Sequence, residues 1–223
     1  MKIKFLYQLS ALFLLVIVQQ AKAQFVQDIN GHPMQTKSYE GVQGSPYLSD
    51  QWAMGVVKMT DGRTYKDVPL KYDEVQDELY FQDKKAQTLA FVDHVNEFKI
   101  NYVANNKPYE KVFRNGFKNI PGSSEASFFE VLSDGTAQLL KKTTKVQAET
   151  REYNAPVVKN FEENAKYYLI VSGKVIPFKK DKKFILENLP NKRTELEAYI
   201  KTNNINLKDD ADLAKLISYY NSM

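Results

Sequence analysis

Residues 52–102 constrain the fold more than any other stretch, because apolar and polar residues alternate along them several times. Val68, Leu70 and Tyr72 fall on one side of an extended chain, and Pro69, Lys71 and Asp73 fall on the other. The pattern recurs in Phe98, Ile100 and Tyr102, and in two shorter copies, which are Leu79 and Phe81, and Leu89 and Phe91. A period of two predicts antiparallel strands with one buried face and one solvated face.

Short turn sequences between apolar runs predict three β-hairpins. Asp61-Gly62 favours a type I′ turn, because both central residues of that turn need positive φ. Asp134-Gly135 predicts a second hairpin between residues 127–132 and 136–147, and Ser172-Gly173 predicts a third. Pro69 has no amide hydrogen, so its strand should be an edge there or carry a bulge.

Three segments lack a clear period and are interpreted as irregular. Residues 24–50 contain many turn formers and one short strand at 25–29. Residues 105–124 are interpreted as a loop region that the apolar pair Val112-Phe113 interrupts. Residues 151–164 are polar and are interpreted as a connection.

From Lys179 onward the apolar period changes to about 3.6, which predicts short amphipathic helices. The first helix contains Phe184, Ile185 and Leu189 and stops at Pro190. The second contains Leu196, Tyr199 and Ile200, with Asn191 as its N-cap and Asn203-Asn204 as its end. The third begins at Asp209-Asp210 and contains Leu213, Leu216, Ile217 and Tyr220. Helices this short need a surface to pack on, and the sheet provides one.

The predicted fold is mainly β, built from antiparallel hairpins in a meander that forms a sandwich or a partly open barrel. Two to three short α-helices follow at the C-terminal end. The predicted organisation is a signal peptide at 1–23, an antiparallel β domain at 24–178 and a helical segment at 179–223 packed on the sheet.

The first 23 residues have the layout of a secretory signal peptide. Lys2 and Lys4 precede the mostly apolar residues 5–18, and Ala21-Lys22-Ala23 matches the small-x-small cleavage pattern. The mature chain would then begin at Gln24. A membrane anchor is the alternative, but the apolar run is shorter than the ~20 residues of a spanning helix, and no later stretch is apolar enough to span.

Charge and cysteine content exclude several classes of protein. Three of the 31 Lys and Arg residues leave with the signal peptide, whereas all 27 Asp and Glu residues remain, so the mature formal charge is +1. This balance gives no support to nucleic-acid binding. The chain has no cysteine, which excludes disulfides, thiolate metal sites and lipid attachment through cysteine.

The histidines and the acidic residues are the candidates for chemistry. His32 and His94 lack a histidine partner at ligand spacing, so both are interpreted as structural or solvated. Asp73, Glu74, Asp77 and Glu78 could supply oxygen ligands to Ca²⁺, but they lack the spacing of an EF-hand loop. They are interpreted as a solvated hairpin turn. Residues 28–31 and 208–210 are weaker candidates of the same kind.

The remaining motifs are less informative. Lys141, Lys142 and Lys145 are interpreted as a soluble, aggregation-resistant strand edge. The sequence contains neither a Gly-x-Ser-x-Gly elbow nor a glycine-rich phosphate loop. The many tyrosines are interpreted as strand packing, with binding of peptides or glycans as the alternative.

Two stretches together resemble a known group of proteins. They are GSPYLSDQWAMGVVKMTDGRTYKDVPLKYDEVQDELYF, and the tail that begins SFFEVLSDGTAQLLKK and continues through YYLIVSGKVIPFKKDKKFILENL and ELEAYIKTNNINLKDDADLAKLISYYN. The chain resembles a group of uncharacterised secreted, β-rich proteins of Bacteroidetes-type bacteria. The resemblance implies a location in the cell envelope and does not imply any catalytic activity.

We therefore expect an exported protein, periplasmic or extracellular, that acts as a non-enzymatic binding or structural module. The alternative is a carboxylate-dependent hydrolase that acts on glycan or peptide in the envelope. No catalytic, cofactor-binding or metal-binding residue is assigned, and no cofactor is expected. Another envelope protein or a glycan is the expected kind of partner.

Overall fold

The computed structural model describes residues 29–33, 39–151 and 156–223. The strands are β1 (Gly31–Pro33), β2 (Val42–Gln43), β3 (Ala53–Met59), β4 (Thr64–Asp73), β5 (Glu78–Gln82), β6 (Thr88–Phe91), β7 (Val95–Ala104), β8 (Lys107–Arg114), β9 (Phe129–Ser133), β10 (Ala137–Thr150), β11 (Val158–Val171) and β12 (Lys174–Pro177). The helices are α1 (Lys182–Asn188), α2 (Arg193–Thr202) and α3 (Asp210–Ser222). The predicted signal peptide at 1–23 lies outside the described residues.

All of these strands form one sheet in the order β1-β6-β5-β4-β3-β7-β8-β9-β10-β11-β12. The short β2 lies off this path and pairs with β11 in parallel, whereas the other pairs are antiparallel. The sheet is mixed and does not close, because its end strands β1 and β12 do not pair with each other. The predicted fold class, mainly β with a short helical C-terminal segment, is confirmed.

The sheet curls strongly, as contacts between distant strands show. Strands β4 and β10 are five positions apart, which in a flat sheet would separate them by about 24 Å. Nevertheless, the backbone N of Lys145 in β10 donates to the carbonyl of Glu74, directly after β4, at 3.0 Å. Tyr72 of β4 and Phe113 of β8 also meet, with ring centroids 5.0 Å apart. The β4–β5 turn therefore lies against β10.

The alternating residues of the central strands fill the inside of this curl, as their sequence predicts. Val68 and Leu70 are fully buried and Tyr72 is 1% exposed, whereas Pro69 and Lys71 are partly exposed. Phe98 and Phe113 stack at 4.8 Å. Asp73 is the exception to the alternation, because it is fully buried on the side predicted to be solvated.

The hairpins at Asp61-Gly62, Asp134-Gly135 and Ser172-Gly173 are confirmed, but the turn type at the first is wrong. Gly62 has φ +90°, whereas Asp61 is not among the described residues with positive φ. The bond from the Gly62 amide to the Met59 carbonyl, 3.1 Å long, instead closes a turn with Thr60 and Asp61 at its centre. Ser172-Gly173 has positive φ at both positions, as a type I′ turn requires.

The strand that contains Pro69 carries a bulge, as predicted. Gly55 pairs with Val68 and Val57 pairs with Tyr65, so β4 has one residue more than β3 between these pairs. Asp67, within the bulge, has φ +54°.

Two segments interpreted as irregular are strands, so those predictions are wrong. Residues 107–114 form β8, which follows β7 through a two-residue turn with positive φ at Asn105 and Asn106. Residues 158–164 belong to β11, which pairs with β10 along its full length. Both strand segments are exposed over several consecutive residues. Because neither of their faces is buried, apolar and polar residues do not alternate along them.

The three helices form where the period predicts them. Asp181 caps α1 by accepting from the Phe184 amide at 2.8 Å, and Asp209 caps α3 by accepting from the Asp212 amide at 3.0 Å. The prediction of Asn191 as N-cap of α2 is wrong, because Asn191 has φ +67° and α2 begins after Lys192.

The apolar faces of the helices pack on β9, β10 and β11. Their fully buried members are Ile185, Leu196, Leu213, Leu216 and Ile217, which meet Ala137, Leu139 and Leu169 of the sheet. Within the described residues, no helix is both long and apolar enough to span a membrane.

Asn221 of α3 fixes the β9–β10 turn to the helix. Its Oδ1 accepts from the amide of Ala137 at 2.8 Å, and its Nδ2 donates to the carbonyls of Asp134 and Ala137. Gly135 makes room for this contact, since a Cβ there would lie 2.6 Å from the Asn221 amide nitrogen.

Candidate functional site

The acidic turn between β4 and β5 gathers several ionisable residues, and it is not solvated as predicted. Asp73 is fully buried and Glu74 is 5% exposed. Asp73 holds the turn from within, because its Oδ1 accepts from the amides of Val75 and Gln76 at 2.8 and 2.9 Å. The solvated interpretation fails because the curl of the sheet brings β10 over this turn.

Lys142 of β10 enters the inside of the curl and binds Asp77. Its Nζ lies 2.5 Å from Asp77 Oδ2 and donates to the carbonyl of Phe128 at 2.9 Å. The Tyr72 hydroxyl donates to the other Asp77 oxygen at 2.5 Å. Burial lowers the pKa of Lys142, and the Asp77 carboxylate only partly opposes this effect. Burial and then the charge of Asp77 raise the pKa of Tyr72 well above its ordinary value.

Lys145 binds Glu74 at the edge of the same group. Its Nζ lies 3.0 Å from Glu74 Oε2 and donates to the carbonyl of Tyr47 at 2.6 Å. Burial raises the pKa of Glu74 despite the opposing charge of Lys145. We call Asp73, Glu74, Asp77, Lys142 and Lys145 the acid–lysine cluster.

The interpretation of Lys141, Lys142 and Lys145 as a soluble strand edge is wrong. Strand β10 pairs with β11 along its full length, but with β9 only at residues 139–141. Beyond β9, Lys142 and Lys145 lie against the acidic turn, with side chains only 9% and 13% exposed. Lys141 and Lys142 point to opposite faces, as expected for neighbours in a strand. Each of the three lysines binds a carboxylate, and Lys141 binds Asp210 at the start of α3 at 2.8 Å. Lysines therefore connect β10 both to the acidic turn and to the helices.

The acid–lysine cluster has the properties of a structural element. Lys142 and Lys145 each bind a carboxylate, whereas Asp73 accepts only from uncharged donors, which are Tyr39, Gln76 and backbone amides. No described buried side-chain N or O atom lacks a partner. A general acid or base has to reach a substrate, whereas Glu74, the carboxyl whose pKa is raised, is enclosed by the protein. The cluster closes the curl of the sheet.

A cleft of about 280 Å³ opens beside the cluster. Its apolar lining is Leu79, Phe91, Val92, Val95, Ala126 and Phe128, and its polar lining is Asp77, Glu78, Asp93, His94 and Asn115. Asp77 lines the cleft, but its carboxylate is bound to Lys142. Asp93 binds Arg63 at 2.5 Å. Glu78 accepts from the Tyr80 hydroxyl at 2.8 Å. The cleft has an apolar lining, but these three carboxylates already have partners.

The two histidines lie in different places. His94 lines this cleft with an exposed side chain, and His32 lies exposed in β1. Within the described ranges, no group of three or more His, Asp or Glu side chains could hold a metal ion. Asp209 caps α3, and Asp210 binds Lys141 and Lys180. Of residues 28–31, Asp28 lies outside the described residues.

The outer side of β11 contains an unpaired stretch. β2 pairs with β11 at Lys159 and Asn160, and β12 pairs with it from Tyr168 to Val171. The amide of Phe178 extends the second contact to the Tyr167 carbonyl at 2.8 Å. Residues 161–166 between them have no strand partner on that side among the described residues, and 162–166 are exposed. We call residues 161–166 the open edge.

Most tyrosines of the strands are used for packing, in agreement with the favoured interpretation. Tyr65, Tyr72, Tyr80 and Tyr168 are buried. Tyr102 and Tyr109 differ, because they stack at 5.4 Å beside a shallow surface depression of about 410 Å³, and Tyr109 is 39% exposed.

Comparison with known proteins identifies no relative: no protein-family model matches the sequence, no curated protein matches it, and no solved structure matches the fold. The resemblance to secreted β-rich proteins stays a prediction. The contacts described above are therefore the basis for any statement about function.

Proposed function

We propose that the protein is an exported binding module of the cell envelope without catalytic activity, and that it holds its partner at an exposed part of the sheet. The observation that carries this proposal is the open edge of β11. Unpaired backbone amides and carbonyls at a strand edge attract another chain, and folded proteins ordinarily shield them. Among the described residues, the exposed stretch 162–166 has no strand partner between β2 and β12.

The ionisable groups support binding over catalysis. Asp77 accepts from Lys142, Tyr72 and the Phe128 amide, so its oxygens are occupied. A glycosidase needs one carboxyl as acid and a second as base or nucleophile, both in contact with substrate. Since the cleft carboxylates already accept hydrogen bonds from other side chains of the protein, the carboxylate-dependent hydrolase has less support.

Export is the second part of the proposal. It is supported by the arrangement of Lys2 and Lys4, the apolar residues 5–18 and Ala21-Lys22-Ala23.

Site-specific photo-crosslinking in the producing cell tests the binding function. A photoreactive amino acid replaces Glu163 in the open edge, Val92 in the cleft, or Lys201 on the exposed side of α2 as the control. We expect an adduct of defined mass from Glu163 or Val92 and none from Lys201. The proposal is overturned if neither position gives an adduct above the Lys201 background. Turnover of an envelope glycan or peptide that Asp77→Asn abolishes in a folded variant would also overturn it, in favour of the hydrolase.

A further inference from the structure

The backbone groups of the open edge have a defined direction. NH and CO of alternate residues in a strand point to the same side. The Tyr167 carbonyl points away from β10, because it accepts from the Phe178 amide on the β12 side. Phe161, Glu163 and Ala165 share this parity, so their amides and carbonyls point outward. The Phe161 amide already faces Gln43, because the parallel pairing of Asn160 with Gln43 joins Gln43 to the residues on either side of Asn160. The Lys145 amide agrees with this assignment: Lys145 pairs with Glu163 but donates away from β11, to Glu74.

The open edge has a fixed length. Six residues of a strand span about 20 Å at ~3.3 Å per residue. β2 limits the space at Asn160, and Phe178 limits it at Tyr167. A strand of about five residues fits between these limits and could form hydrogen bonds with Glu163, Ala165 and the Phe161 carbonyl.

The two limits also select the kind of partner. The long edge strand of a second folded protein would continue past the open edge and overlap β2 or β12, which occupy the same side of β11. The same overlap excludes pairing of β11 with β11 of a second copy. A single extended peptide can instead leave the plane of the sheet at both ends.

The charges of the open edge select the sequence of that peptide. Glu162 and Glu163 are exposed, point to opposite faces of the strand and have no ion pair among the described residues. Lys166 is exposed at the other end of the edge. Opposite charges favour cross-strand pairing, and like charges directly opposite disfavour it. Adjacent basic residues in an added strand would place one cation beside each glutamate.

We propose that the open edge binds a short, extended, basic peptide segment as an added β-strand. This proposal rests on the proposed binding function and specifies its partner. Main-chain hydrogen bonds supply the affinity, and the two glutamates supply the preference for basic residues. The partner is therefore an unstructured terminus or linker rather than a folded surface.

Fluorescence anisotropy of labelled hexapeptides with the purified protein tests the proposal. The probe is Thr-Val-Lys-Arg-Val-Thr, and the matched control is Thr-Val-Glu-Glu-Val-Thr. We expect saturable binding of the basic peptide and affinity for the acidic peptide that is lower by about tenfold or more at low salt. The double variant Glu162→Lys, Glu163→Lys should reverse this preference.

Ala165→Pro tests the strand geometry. It removes the outward amide, and proline is tolerated at a strand position whose amide faces solvent. We expect it to weaken binding about tenfold or more, through the lost hydrogen bond and the ring that blocks approach. Ala165→Ser keeps the amide and should bind like the wild type. If the proline variant does not fold, hydrogen exchange of the wild type serves instead, with the Glu163 and Ala165 amides protected when the basic peptide is added.

Three results would overturn the proposal. They are no saturable binding of the basic peptide, binding that Ala165→Pro leaves intact, and protection confined to amides outside the open edge. If Glu163 or Val92 gives a crosslinked adduct but the basic peptide does not bind, the proposed binding function is retained and only the basic-peptide proposal is rejected. Absence of both adducts and peptide binding would remove both proposals.

Discussion

Replacing Lys142 by methionine tests whether the acid–lysine cluster closes the curl of the sheet. The methionine keeps most of the apolar stem but removes the charge that binds Asp77 and the donor to Phe128. Removing one partner of a buried ion pair costs ~3–5 kcal/mol, because the other charge stays buried. The Asp77 side chain is 24% exposed and keeps the Tyr72 hydroxyl as donor, so the lower end applies.

We therefore expect Lys142→Met to lower the free energy of unfolding by ~3 kcal/mol. In a chain of this size that corresponds to a fall in Tm of about 6–12 °C. Urea unfolding followed by the fluorescence of Trp52, the single tryptophan, measures the change. The double variant Lys142→Met, Asp77→Asn should lose less than the sum of the single variants, because it leaves no unpaired charge.

Lys159→Met is the matched control. Lys159 also binds a carboxylate from an adjacent strand, but its side chain is 53% exposed and its Nζ lies 3.6 Å from Glu149. Exposed pairs contribute ~0–1 kcal/mol, so this variant should be nearly as stable as the wild type. If Lys142→Met and Lys159→Met lose equal stability, the cluster does not hold the curl and the reasoning is refuted.

Four further predictions concern the helices, the pH dependence, metal ions and export. Leu216→Ala should cost ~2–5 kcal/mol and lower Tm in one cooperative transition, because Leu216 is fully buried; unchanged stability would show that the helices are not part of the core. Hydrogen bonds from Lys141 and Lys180 outweigh burial and lower the pKa of Asp210. Asp210→Asn should therefore lose ~1–2 kcal/mol at pH 7 in urea titrations. The difference in stability between Asp210→Asn and the wild type should disappear as the pH falls below about 4 and then through the lowered pKa of Asp210, because the carboxylate becomes protonated. A difference in stability that persists at still lower pH would contradict the lowered pKa of Asp210. Chelation should leave Tm unchanged, whereas a fall that Ca²⁺ reverses would reveal a metal site. Intact mass of protein from the native envelope should begin at Gln24; retention of Met1 would contradict export.

The central strands could be predicted from the sequence because each has one buried and one solvated face. The alternation of Val68, Leu70 and Tyr72 records this environment directly. The first residues of β8 and the first half of β11 lack it, because neither face of those pieces is buried. These segments pair through backbone hydrogen bonds, which produce no alternation of apolar and polar side chains in the sequence. The adjacent asparagines at 105–106 were the available signal for the β7–β8 turn, since asparagine tolerates positive φ.

The acid–lysine cluster could not be predicted, because its members come from distant parts of the chain. Lys142 and Tyr72 lie 70 positions apart and meet only through the curl of the sheet. A run of acids between two strands is usually solvated, so the local pattern favours the wrong environment. One signal was present, since three lysines within five residues of a strand are unusual unless they have partners. The open edge was likewise missed, because its first four residues belong to the polar segment interpreted as a connection.

The contact between Asn221 and the β9–β10 turn also determines when the fold can be completed. The hydrogen bonds from Asn221 join positions 84 to 87 residues apart. During synthesis, the turn at Gly135 emerges long before the helix that fixes it, and Leu139 and Leu169 stay uncovered until α3 has been made. Contacts of such long sequence separation slow folding, and the uncovered apolar surface can aggregate meanwhile. The nascent chain therefore passes through an interval in which this apolar surface is exposed to solvent.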